Sequence, residues 1–68
     1  MKKILKDKGW EEYGLFSLKY NNLVADVYNP DRIVIYVNRS KYVQDGIHLF
    51  TITNEYQLNK FLVFLESL

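Results

Sequence analysis

The sequence predicts an α+β domain, an antiparallel meander of four to five strands with a C-terminal helix packed on one face. Three observations carry that expectation. An apolar stripe at helical spacing closes the chain over 54–68. Short runs with strand-like alternation fill 10–52, and Asn, Gly, Pro or Asp part each run from the next.

The helix is the clearest element. Leu58, Phe61, Leu62, Leu65 and Leu68 follow i, i+3, i+4, i+7 spacing, with Val63 and Phe64 on the shoulders. Core packing is the expected role of Phe61 and Phe64. Thr53 or Asn54 can accept from the free N–H groups of the first turn, and Glu55 complements the positive end of the dipole. Asn54 with Gln57 forms a loose capping box. The stripe is too short and too charged to cross a membrane.

Upstream, residues 1–9 read as an N-terminal turn or short helix with Ile4 and Leu5 inward, ended by Gly9. Trp10 to Tyr20 is extended, with a bulge or bend at Gly14. Asn21-Asn22 tolerates the positive φ of a tight hairpin. Leu23 to Tyr28 follows, then a turn at Asn29-Pro30-Asp31. Arg32 to Asn38 is apolar on both sides, as an interior strand is. Asp45-Gly46 between Tyr42–Gln44 and Ile47–Ile52 predicts a further hairpin.

One helix covers one side of a sheet. Ile33, Ile35, Val37, Phe16, Leu18, Leu23, Val27 and Leu49 are expected beneath it. Alternation sends Ser17, Lys19, Val24, Asp26, Tyr28, Val34, Tyr36, Asn38, His48 and Phe50 to the opposite side. Left open, that side is an aromatic patch of the kind small proteins use for binding. Tyr28, Tyr36, His48, Phe50, Lys19 and Asn38 are the expected partner-contacting residues, because tyrosine combines contact area with few rotatable bonds and a polar tip. Coverage by the segment around Trp10, or stacking of two copies, is the alternative use of the same side.

Composition bounds the rest. The 68 residues make one domain, a size that buries only about 60% of its unfolded surface. A homodimer would add to that burial. The chain has no cysteine, hence no disulfide and no thiolate chemistry. Lysines at the N-terminus lack the apolar segment of a signal peptide, so a cytoplasmic protein is expected. Of the 68 residues, 29 are Lys, Asn, Tyr, Ile, Phe or Met and only 7 are Ala, Gly, Pro or Arg. That bias points to an A/T-rich genome, such as a low-GC bacterium or its phage.

No chemistry is spelled out. His48 is the single histidine and lacks the carboxylate or co-ligands that would orient it in the sequence. Glu11 and Glu12 point to opposite sides of a strand. Gly9, Gly14 and Gly46 are isolated, so no phosphate loop exists. Expected are no catalytic residues, no cofactor and no metal. The expected function is a non-enzymatic protein-binding module, encoded by a phage or mobile element, that inhibits or modulates a host defence or housekeeping protein. The alternative is single-stranded nucleic-acid binding by base stacking on the same face, with Lys19, Lys41, Arg32 and Arg39 at phosphates. A net charge of +1, with Asp26, Asp31 and Asp45 interspersed, argues against it.

Overall fold

The computed structural model describes residues 1–28, 31–41 and 43–68. Its elements run α1 (Lys2–Asp7), β1 (Glu11–Glu12), β2 (Ser17–Tyr20), β3 (Leu23–Val27), β4 (Ile33–Val37), β5 (Ile47–Ile52) and α2 (Glu55–Glu66). The five strands form one antiparallel sheet in the order β1-β2-β3-β4-β5. The meander, its C-terminal helix and the short N-terminal helix with Leu5 buried are as the sequence predicts.

Both helices supply the core of one face. Leu5 of α1, Trp10, and Leu58 and Leu62 of α2 pack with Leu18, Ala25, Ile33, Ile35 and Ile52 of the sheet. Trp10 stacks on Tyr20 with ring centroids 5.6 Å apart and lies 6.3 Å from Phe61. The segment around Trp10 therefore joins the helical layer instead of covering the opposite side. A Lys8–Glu66 ion pair of 3.1 Å ties the two helices at the surface.

α2 begins on a reciprocal cap. Asn54 Oδ1 accepts from Gln57 N–H at 2.8 Å, while Gln57 Oε1 accepts from Thr53 N–H at 2.8 Å. Leu58 and Leu62 are buried and Phe61 and Leu65 half-buried. Phe64, expected in the core, is exposed, and Leu68 lies beyond the helix end and is exposed too. A 100° step per residue puts Phe64 too far round the helix to reach the sheet.

The hairpin at Asn21-Asn22 forms, with Asn21 at φ +54 and Tyr20 opposite Leu23. The turn expected at Asn29-Pro30-Asp31 has its first two residues outside the described set, as does Tyr42 of the expected Tyr42–Gln44 strand. Val43 and Gln44 are not in a strand. Instead, 38–46 is a nine-residue loop whose ends meet where Val37 pairs with Ile47. Asn38 opens it at φ +60, and its N–H donates to Asn22 O at 3.1 Å. Gly46, at φ +88, closes it; a Cβ there would come within 2.9 Å of Val37 O and Arg39 Cα. A hairpin needs two strands able to pair, and here Arg39, Ser40 and Asp45 bond to one another across the loop instead. Asp45 accepts from both the N–H and the hydroxyl of Ser40.

Register corrects two further expectations. Ile35 pairs with Phe50 and Tyr36 with His48, which leaves Leu49 as an extra residue in a bulge. Phe50 therefore falls on the helix side, where its ring meets Phe61 edge-on at 5.0 Å. Leu49 is exposed rather than buried. Phe16 lies ahead of β2, so strand alternation does not govern it. Its ring packs on Tyr28, 5.4 Å away.

Candidate interaction face

The helix-free side of the sheet carries the candidate site. Pairing aligns Lys19, Val24, Tyr36 and His48 in one transverse row across four strands. The neighbouring row is Ser17, Asp26, Val34 and Thr51. Tyr28 follows β3 immediately. The structure thus unites Lys19, Tyr36, His48 and Tyr28, places Asn38 at the loop entrance, and removes Phe50 to the other side.

This side is not an open apolar surface. Val24, Val34, Ser17 and Asp26 are buried, and Asp26 is 0% exposed. The Arg39 side chain, 8% exposed, lies down across the sheet and reaches Asp26 Oδ2 through Nη2 at 2.8 Å. Ser17 Oγ donates to Asp26 Oδ1 at 2.7 Å and the Tyr28 hydroxyl donates to Oδ2 at 3.3 Å. Tyr13 OH donates to Arg39 O at 3.2 Å, and Arg39 Nη1 donates to Asp45 O at 3.1 Å. Among the described residues no buried polar side-chain atom lacks a hydrogen bond. A carboxylate with no solvent exposure and no counter-charge would be too costly, so the arginine is required.

Cations sit over the tyrosines. Arg39 lies 4.1 Å from the Tyr36 ring centroid, Arg32 4.8 Å from Tyr28 and Lys19 4.8 Å from Tyr13. His48 meets Tyr36 edge-on at 5.7 Å, and its Nε2 is 3.3 Å from Thr51 Oγ1. Burial, then the Asp26 carboxylate, raises the pKa of the Tyr28 phenol above its ordinary value. It stays a neutral donor at physiological pH. The two hydrogen bonds from Ser40 lower the carboxyl pKa of Asp45.

A shallow groove of about 130 Å³ runs beside this face between 15–17 and the loop, lined by Phe16, Ser17, Arg39 and Lys41 among others. Gly14, at φ +83, allows the approach; a Cβ there would stand 2.8 Å from Lys41 O. The Ser17 hydroxyl donates to Asp26 with no imidazole between them. His48 lies three strands from Ser17, about 14 Å at ordinary strand spacing. The arrangement holds a face rigid but does not line up a nucleophile with a base. Among the described residues no three or more His, Cys, Asp or Glu gather as metal ligands. None of the described helices is long and apolar enough to cross a membrane.

Sequence reasoning missed the Asp26–Arg39 pair. The signal was present: an aspartate within an interior strand, opposite Val34, demands a counter-charge, and Arg39 is two residues past the end of β4. No protein-family model matches the chain, and no curated protein and no solved structure matches it either.

Proposed function

We propose that this protein is a non-enzymatic protein-binding module that docks a partner on the helix-free face of its sheet. The carrying observation is the row Lys19–Tyr36–His48 with Tyr28 beside it, pre-ordered by the buried Asp26–Arg39 pair. Tyrosine and arginine are the side chains that dominate interface energetics. Held by stacked cations and hydrogen bonds, they lose little further freedom on binding. The partner is a host protein, and the coding bias fits a phage or mobile element whose product modulates a defence or housekeeping function in the cytoplasm.

Base stacking is the weaker reading. It needs open tyrosine faces, and Arg39, Arg32 and Lys19 stand over Tyr36, Tyr28 and Tyr13. Arg39 also spends its charge on Asp26.

Affinity capture from the lysate of a low-GC bacterium, with and without nuclease, tests the proposal. One stoichiometric protein retained after nuclease supports it. Lys19→Glu with His48→Ala, both at exposed positions, should then weaken capture about tenfold or more, the equivalent of about 1.4 kcal/mol. Capture that vanishes with nuclease, or is indifferent to both substitutions, rejects it.

A further inference from the structure

The two edges of the sheet are treated differently. β1 is two residues long, and Glu12 is paired with Lys6 at 3.0 Å and Lys2 at 3.3 Å. A short, charged edge resists association. β5 is six residues long and reads Ile-His-Leu-Phe-Thr-Ile, with no charged residue and no proline. Ile47, Leu49 and Phe50 are 61%, 45% and 38% exposed.

The apolar surface continues onto α2. Phe61 touches Phe50. Phe64 follows Phe61 at helical spacing on the same flank and Leu68 lies just past the helix end, while Glu66, on the other flank, faces α1 through Lys8. Phe64 and Leu68 are 59% and 84% exposed. With roughly 200 Å² for each fully open large side chain, the five residues form a strip on the order of 600 Å². That is the upper end of what a monomer ordinarily shows.

We infer that this strip is the contact of a two-fold homodimer, β5 edge against β5 edge and α2 flank against α2 flank. Joining two copies removes on the order of 1,200 Å² from water, which reaches the lower bound of specific interfaces. An isologous contact sets each patch against its own copy. The strip meets that demand because Ile47, Leu49, Phe50, Phe64 and Leu68 bring no like charges together.

Side chains, not a continuous backbone ladder, make the joint. Tyr28 N–H donates to Arg32 O, and Asn38 N–H donates to Asn22 O. By antiparallel alternation, Ile33, Ile35 and Val37 then turn their backbone groups to β5. Their partners Ile52, Phe50 and Ile47 face inward, leaving His48 and Thr51 to point outward with the Leu49 bulge between them. The bulge breaks the even spacing an added strand would need.

Because helix layer meets helix layer, the two helix-free faces fall on the same side of the dimer. Resting on the function proposed above, this makes the dimer bivalent toward its partner.

Sedimentation equilibrium from low to high micromolar concentration tests the contact. The expected mass at high concentration is twice 8.1 kDa. Phe64→Glu and Leu49→Lys, each at an exposed site, should restore the 8.1 kDa species with an unchanged helical signal and unfolding slope. Tyr56→Ala, on the outward face of α2, should leave the dimer intact. Hydrogen exchange on the unmodified chain gives a second readout: amides of 47–52 should gain protection as concentration rises. A chain monomeric throughout overturns the inference, as does a dimer that survives both charged substitutions or dissolves on Lys19→Glu. A monomer that still captures its partner defeats the dimer alone, whereas a dimer that captures nothing defeats the function alone.

Discussion

Arg39→Met should be the most damaging single change on the helix-free face. It removes the guanidinium that meets Asp26 Oδ2 at 2.8 Å and lies 4.1 Å from the Tyr36 ring, while keeping an apolar side chain of similar reach. Asp26 retains the Ser17 and Tyr28 hydroxyls but loses its counter-charge at a site with no solvent exposure. Breaking a buried pair from one side costs about 3–5 kcal/mol. Losing the cation over Tyr36 adds about 0.5–2 kcal/mol. A single core of this size rarely supplies more than about 3–5 kcal/mol, so the variant should be largely unfolded at 25 °C. Replacing the network whole, with Ser17→Ala, Asp26→Leu and Arg39→Met together, should recover most of the loss, because no buried charge or hydroxyl is then orphaned. Urea unfolding followed by circular dichroism reads both. An Arg39→Met cost under about 1 kcal/mol would mean the pair behaves as a solvated one and the loop does not lie on the sheet.

Leu62→Ala should cost about 2–5 kcal/mol, since its side chain is buried among Leu5, Trp10 and Leu58; a near-neutral result in urea unfolding would contradict the packing of α2. Gly14→Ala should lower stability by about 1–2 kcal/mol from the left-handed backbone alone, and the Cβ contact with Lys41 O adds to that; an unaltered midpoint would place the loop farther from 14. The raised Tyr28 pKa means the folded state holds that proton longer than the unfolded chain does. Its contribution to stability is therefore present below the unfolded pKa and lost as pH rises through the folded one, and an alkaline titration compared with Tyr28→Phe should show it. Asp45 runs the other way: its lowered pKa makes the contribution present above the ordinary carboxyl range and lost on acidification. The Ser40 amide resonance should follow that titration, with a midpoint below 3.8.

How far the sequence carries the fold depends on how local the cause is. The cap at Asn54, the stripe of Leu58 and Leu62, and the Asn21 turn are set by residues within a few positions of one another, and all were legible. Phe50 and His48 were not separable, because a single extra residue at Leu49 reverses every side chain before it relative to those after. The Asp45-Gly46 pair carries the hairpin signature, yet the Ser40–Asp45 bonds and the fit of Gly46 against Arg39 belong to a loop folded on itself. At the candidate face, alternation alone brought Lys19, Tyr36 and His48 together. The descent of Arg39 onto Asp26 depends on two residues thirteen positions apart, and only the demand of a buried charge connects them.

The meander order also bears on how quickly the chain finds its structure. Every strand pairs with the one before it in sequence, so each step of sheet assembly closes a short loop, the widest being the nine residues of 38–46. Loop entropy grows only slowly over such spans, and topologies built from near neighbours fold fast. The exception is the seat of α1 beside α2, where Lys8 must meet Glu66 across 58 positions. Hairpins can therefore zip from either side of β3 before the two ends of the chain are joined. Leu5 and Trp10, which complete the core from the N-terminal end, are the residues whose truncation should speed unfolding more than it slows folding.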